Sequence, residues 1–235
     1  GGGGPETGDD GDDAWDRYER ANRGVVTDTF SGLLRSSVEC CSCHHVSTCF
    51  DPYLDISLPI PTGAASETGA DGRPRNANSS SKGNPRGNRG RLPNGACTLE
   101  ECLETFTEPE VLDKENRVTC ERCQKLRKCV KLLTIHSWPK VLVLHMKRFA
   151  YTSLRREKLA TLVTFPVKGL DLANFISKER DGADDKPVYD LFATSNHIGE
   201  RESSGHYVAN CLADADGTWH YFNDQHVSQT TKDEL

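Results

Sequence analysis

Two C-x-x-C pairs, Cys40–Cys43 and Cys120–Cys123, constrain this chain more than any other feature of it. Each pair presents two sulfurs on one tight turn, which suits half of a tetrahedral zinc site with Zn–S distances of ~2.3 Å. Together they make a closed four-cysteine site, so the fold must bring two turns 77 residues apart to a single point. Cys41, His44, His45 and Cys49 crowd the first pair and make its register ambiguous, with Cys40 and Cys43 the best-spaced donors. Four thiolates leave no open position for water, and no His/Glu motif supplies another site, so one structural zinc is expected rather than a catalytic one. The alternative is a set of unligated buried thiols.

Ten cysteines also raise the question of a disulfide framework in the secretory pathway, and the last four residues, Lys232-Asp233-Glu234-Leu235, spell an ER-retention signal. Such an address needs entry into that pathway, and the N-terminus Gly1-Gly-Gly-Gly-Pro5 is no signal peptide. The tetrapeptide therefore reads as accidental, and a reducing compartment, cytoplasmic or nuclear, is expected.

With 35% hydrophobic residues among 235, the chain can bury one substantial core, while a mean hydropathy of -0.62 leaves much of it solvated. A net charge of -6 and a pI near 5.8 give no general attraction to nucleic acid or anionic membranes. No apolar run approaches the ~18 residues of a membrane span. Residues 1–13, rich in glycine and aspartate, are expected to be disordered, with order beginning near Trp15 and one domain occupying 14–235. Inside that domain, residues 62–95 are dominated by Gly, Asn, Ser, Pro and Arg and read as a disordered insertion. Six basic residues there face two acidic ones, but without interleaved aromatics a solvated loop is favoured over an RNA-binding tail.

Within the domain, Thr98 and Glu101 form a capping box, and Leu99, Cys102, Leu103 and Phe106 follow at helical spacing, which assigns Cys102 to the core. Phe50–Pro59 alternates like an extended strand, and Cys129–His136 predicts another. After a break at Trp138-Pro139, Val141–Phe149 reads as one long strand buried on at least one face. Val188–Ser195 is strand-like. The balance is α+β, dominated by antiparallel strands.

The chemistry concentrates near the C-terminal end. Residues 206–212 predict a strand, 213–217 a turn and 218–222 the returning strand. In an antiparallel pair closing around Ala215, opposed numbers sum to about 430, which sets His206 opposite position 223 or 224. An imidazole beside Asn223 and Asp224 supplies the base and the orienting group of a nucleophilic triad, in which the orienter fixes the ring tautomer.

Joined in order, the motifs resemble a known family. They are the first knuckle, Asp55-Ile-Ser-Leu-Pro59, the capped helix Thr98–Phe106 and the second knuckle. They continue with Pro139-x-x-Leu142-x-Leu144-x-x-Lys147-Arg148-Phe149, Gly205-His206-Tyr207 and Trp219…Asn223-Asp224. This is similar to the C-terminal two thirds of the catalytic domain of ubiquitin-specific proteases, from about Trp15 onward apart from the insertion. The resemblance implies a papain-like fold of fingers and palm, with the zinc knuckles at the fingertips, and ubiquitin and ubiquitinated proteins as partners. It also implies thiol-dependent hydrolysis of the bond after ubiquitin's C-terminal glycine. His206 would be the base, Asn223 the orienter and Asp224 an assistant or substitute. Gly205 would give room to the diglycine tail of the substrate, or serve only as a strand-entry glycine.

The family's nucleophilic cysteine belongs to a Gly-Asn-Thr-Cys-Tyr-like motif, which this sequence does not contain. Cys211 is nearest to His206 in sequence, but an odd offset points it to the other strand face. Cys102 and Cys129 fit core positions, and Cys97 borders the insertion. The chain is thus expected to be part of a longer enzyme and inactive alone. Two alternatives are a catalytically dead ubiquitin-binding module and a disulfide-rich lumenal protein.

Overall fold

The computed structural model describes residues 10–61, 95–151, 156–176, 187–201 and 204–235. The expected insertion, but for Gly95, and the first nine residues lie outside them. The chain divides into two compact units. One comprises residues 1–58, 103–145 and 171–188, the other residues 59–102, 146–170 and 189–235.

The first unit is built on an antiparallel sheet of β1 (Gly32–Cys40), β2 (Val46–Tyr53), β3 (Glu110–Leu112) and β4 (Cys129–Ser137), in the order β2-β1-β4-β3. Leu33 on β1 and Ile135 on β4 are fully buried, as are Ile56, Leu58, Leu103 and Leu172 of the same unit. Truncating one such leucine to alanine costs about 2–5 kcal/mol.

Helix α1 (Asp10–Ala21) starts five residues before Trp15, so disorder does not extend to residue 13. The physical reason has two parts. Asp12 and Asp13 lie in the first turn, where negative charge complements the helix dipole, and Arg20 lies in the last. Gly11 meanwhile allows a close approach, since a Cβ there would stand 2.3 Å from Nε2 of the buried His136 and 2.9 Å from the Phe50 ring. The short helix α2 (Val25–Phe30) follows.

Two strand expectations are corrected in this region. The run Phe50–Pro59 is broken at Leu54–Asp55 into β2 and a four-residue strand, Ile56–Pro59. Val141–Phe149 is no single long strand. Only Leu144–Lys147 pairs as one, Phe149–Tyr151 forms another, and no residue from 141 to 149 is buried. Upstream, the backbone is taken by non-ladder bonds, Val141 N–H to Thr29 O at 2.9 Å and Ile56 N–H to Val143 O at 2.9 Å.

Helix α3 (Leu99–Phe106) is capped as its sequence predicts: Thr98 Oγ1 accepts from Glu101 N–H at 3.1 Å, and Glu101 Oε2 accepts from Thr98 N–H at 2.8 Å. Leu99, Cys102 and Leu103 form its buried face.

The second unit contains an up-and-down antiparallel sheet, β5 (Ala193–Arg201), β6 (Ser204–Leu212), β7 (Trp219–Asn223) and β8 (His226–Thr230), paired in chain order. The strand expected over 188–195 is interrupted at 190–192, where Asp190 Oδ1 accepts from Gly169 N–H at 2.8 Å and Leu191 N–H donates to Val167 O. Val208, Asn210 and Trp219 are buried, and the Asn210 amide is satisfied by Thr194 Oγ1 at 3.2 Å. The β6–β7 turn is closed by Ala213 N–H to Thr218 O at 2.8 Å.

Candidate functional site

The two C-x-x-C turns have the same local construction. The first joins β1 to β2, and the second joins the short strands Val118–Cys120 and Lys125–Arg127. In the first, His44 N–H donates to Cys40 O at 2.9 Å, with His44 at φ 57. In the second, Gln124 N–H donates to Cys120 O at 2.8 Å, with Gln124 at φ 53. In each, a backbone N–H points at the leading sulfur: Ser42 N to Cys40 Sγ at 3.5 Å, Cys123 N to Cys120 Sγ at 3.4 Å. Chain direction, hydrogen bonding and a left-handed residue after the second cysteine thus fold each turn before the other is considered.

All four sulfurs, those of Cys40, Cys43, Cys120 and Cys123, lie within 4.8 Å of one another. Cys43 Sγ and Cys120 Sγ are 3.6 Å apart, close to the ~3.8 Å edge of a tetrahedron with metal–sulfur bonds of ~2.3 Å. The donor set therefore fits one tetrahedral, thiophilic ion. At the first turn it is the sulfurs of Cys40 and Cys43 that join this cluster. Cys41 and Cys49 are exposed, His44 turns outward to Glu39 at 2.9 Å, and His45 faces Glu121 at 3.5 Å.

Cys40 and Cys43 are driven in opposite directions. Backbone N–H groups of Ser42 and Cys43 pull the Cys40 thiol down to about 6. His45's backbone pulls on Cys43, yet burial and the surrounding Cys123, Cys120 and Cys40 sulfurs push that thiol up to about 12. Sulfurs this close resist carrying several negative charges together, which is the electrostatic condition a cation relieves.

In the second unit, His206 Nε2 lies 2.7 Å from Asn223 Oδ1. The β6–β7 ladder pairs Ala209 with Phe222 and Leu212 with Trp219, so opposed numbers sum to 431, one more than the sequence reading. His206 stays within β6, paired with Ile198 of β5 and three residues before the β6–β7 ladder begins at Ala209, and its side chain reaches Asn223 at the end of β7. Asp224 Oδ2 stands 4.0 Å from the ring, on a residue at φ 51 with 78% of its side chain exposed. The direct partner is thus the amide. Since Asn223 Oδ1 can only accept, Nε2 carries the ring proton and Nδ1 presents a lone pair. With 42% of its side chain exposed, the ring can be reached from solvent.

Among the described residues, the side-chain partners of His206 are Asn223 and Asp224, and no thiol is with them. Cys211 pairs across the ladder with His220, one strand face removed from His206. Cys97 and Cys102 are buried 3.9 Å apart; burial pushes Cys102 up to about 12 and raises Cys97, which keeps both protonated and unreactive. Cys129 is buried beside Cys40 and Cys120, and burial raises its thiol too.

Gly205 has a reason within the fold itself. A Cβ on it would come within 2.1 Å of His197 Nε2 and 2.7 Å of Ile198 O, so the strand preceding His206 is pressed onto its neighbour. Lys158 was not anticipated from the sequence. Its Nζ lies 2.7 Å from His197 O, 2.8 Å from Gly199 O and 3.2 Å from His197 Nδ1.

A strand-rich α+β chain thus carries an oriented histidine on one hairpin and a four-thiol centre on paired turns. The family model described as ubiquitin carboxyl-terminal hydrolase matches residues 6–235, and the chain belongs to that family. It is 39% identical over 214 residues to ubiquitin carboxyl-terminal hydrolase 2 of Gallus gallus, covering 91% of this chain and 50% of that protein. To ubiquitin carboxyl-terminal hydrolase 3 of Homo sapiens it is 36% identical over 209 residues, covering 89% of this chain and 36% of that protein. Among solved structures it is similar to the SAGA Ubp8/Sgf11/Sus1/Sgf73 DUB module bound to ubiquitin aldehyde. There the TM-score is 0.66 and the identity 29%, over 91% of this chain and 40% of that one. The chain thus spans half the length, or less, of these relatives. The family resemblance carried by the motifs and the α+β fold class are both borne out.

Proposed function

We propose that this chain is the base-bearing and metal-bearing part of a thiol-dependent deubiquitinase, which cleaves the bond after the C-terminal glycine of ubiquitin. The observation that carries this is the 2.7 Å pairing of His206 Nε2 with Asn223 Oδ1 in a chain of this family. With Nε2 protonated and oriented, Nδ1 takes the proton of a cysteine thiol, and the sulfur attacks the glycine carbonyl. The proton returns from Nδ1 to the departing amine as the C–N bond breaks, leaving a thioester. Nδ1 next takes a proton from water, the water oxygen displaces the sulfur, and the thiol is restored. The nucleophilic cysteine is contributed by residues outside these 235. Asp224 acts as an exposed assistant to the pair.

Cys40, Cys43, Cys120 and Cys123 would hold one zinc ion, with a purely structural role: it cross-links the two turns and leaves no position for substrate. Ubiquitin bound to the neighbouring DUB module supports ubiquitin as the partner. Ten free cysteines support a reducing compartment, cytoplasmic or nuclear, rather than the disulfide-rich lumenal alternative.

The test is hydrolysis of a ubiquitin–fluorophore amide. The full-length gene product should turn it over and lose that activity on His206→Ala, whereas the 235-residue chain should bind ubiquitin without turnover. Robust turnover by the chain alone would refute an external nucleophile. Binding without turnover by the full-length protein would instead establish the non-catalytic ubiquitin-binding reading.

A further inference from the structure

Immediately before His206 the β5–β6 ladder becomes irregular. Ile198 pairs with His206, and the register then shifts before Arg201 meets Ser204. Gly199 occupies this shift at φ 145, with Ser204 O only 2.9 Å from where its Cβ would be. A bend of this kind loosens a ladder, because backbone groups lose their partners. It lies one residue beyond the cross-strand partner of His206.

Lys158 adds side-chain bonds to this stretch of β5. It sits on the strand Arg156–Lys158, paired with Phe149 on Phe149–Tyr151. Its ammonium has three hydrogens and three acceptors: His197 O at 2.7 Å, Gly199 O at 2.8 Å and His197 Nδ1 at 3.2 Å. The two carbonyls lie on either side of Ile198, the cross-strand partner of His206, and the second belongs to Gly199 at the start of the bend. In the third contact the ammonium donates to His197 Nδ1, which places the ring proton on Nε2. That ring is edge-on to Phe149 with centroids 5.9 Å apart and tilted to Tyr207 at 5.0 Å. Its Nε2 edge lies against Gly205, where a Cβ would be 2.1 Å away.

We infer that Lys158 and His197 are positioning residues for His206: the ammonium ties the bend of β5, and the imidazole it orients fixes the backbone at Gly205, one residue from the base. Each acts through the backbone rather than by bonding to the His206 ring. Rigidity here matters because a nucleophile's base displaced by about 1 Å loses up to ~100-fold in rate. The kinetic consequence rests on the deubiquitinase reading; the conformational consequence does not.

The experiment therefore has two arms. In the 235-residue chain, ¹⁵N-edited NMR of the histidine rings reports the tautomer of His206. Lys158→Met, which keeps the stem and removes all three donors, should change His206 from one Nε2–H tautomer to a mixture, and Lys158→Arg should restore the single form. Gly205→Ala should produce the same mixture by displacing the His197 ring, which keeps the test open if Lys158→Met fails to fold. In the full-length protein, Lys158→Met should lower kcat roughly 10- to 100-fold with KM for the ubiquitin substrate held within about twofold. An unchanged His206 tautomer in both Lys158→Met and Gly205→Ala overturns the inference. So does a loss in Lys158→Met confined to melting temperature, with kcat retained. If the unsubstituted full-length protein does not hydrolyse ubiquitin amides, the deubiquitinase reading falls while the NMR arm still decides the clamp.

Discussion

The two functional regions are held by opposite means. The four-thiol centre joins turns 77 residues apart, and its sulfurs crowd within 4.8 Å of one another. The His206–Asn223 pair spans 17 residues of a single hairpin, is joined by a hydrogen bond, and stands on a ladder whose buried polar group is already satisfied. The first gathers like groups whose charge a bound cation would offset, whereas the second is joined by protein atoms alone. A distant constellation of like groups depends on its ligand, while a local one of unlike groups depends on its backbone.

The largest expected effect follows from removing that cation. Structural zinc contributes on the order of 10 kcal/mol to small metal-dependent folds, so Cys120→Ser should abolish metal binding and unfold the knuckle region at ambient temperature. Metal analysis should fall from one zinc per chain to none, with a collapse of the thermal transition. A stable, cooperatively folded Cys120→Ser protein without metal would break the comparison. At low pH the same loss should appear without mutation, because metal binding needs thiolates and protons compete with the ion for them, so affinity falls as pH falls.

Second in size is Asn223→Ala. Loss of the orienting acceptor frees the tautomer, and kcat of the full-length enzyme should drop by roughly 100-fold with little change in KM. Folding should hardly change, since the ladder below it remains. A third and smaller effect is purely structural: Thr194→Val leaves the buried Asn210 amide without its partner and should cost about 1–3 kcal/mol in denaturant unfolding. If it costs nothing, the hairpin does not rest on that bond.

The smallest effects sharpen both sites. Asp224→Ala should change kcat less than about threefold, because at 4.0 Å it makes no direct hydrogen bond. His44→Ala should leave zinc stoichiometry unchanged, since its ring faces Glu39.

What the sequence disclosed follows the same division. The hairpin and the capping box are written in local period and spacing, so Thr98, Glu101 and the β6–β7 register could be read within a residue. The knuckles were legible because two sulfurs three positions apart have few other uses. Less accessible was anything decided by packing or by main-chain acceptors. Val141–Phe149 has the composition of a long strand, but its first residues are bound to Thr29 and Ile56 instead. Asp12 and Asp13 look like a solvated acidic tail until Gly11 lets the helix close on His136. Gly205 reads as room for a substrate tail or as a strand-entry glycine, and neither reading signals that His197 packs against it. Lys158 binds carbonyl oxygens 39 and 41 positions away, and no residue type marks a carbonyl as an acceptor.

The matching construction of the two knuckles also implies an order of assembly. Because each turn is closed by its own backbone bond and left-handed residue, either one offers an incoming ion a ready pair of sulfurs. Capture by the second turn is then an intramolecular step, favoured by the high effective concentration of two ends already on one chain. With the proposed zinc, metal loading would begin at either turn, on a nascent chain or a finished one, and the ion would become the clasp that fastens one stretch of polypeptide to another.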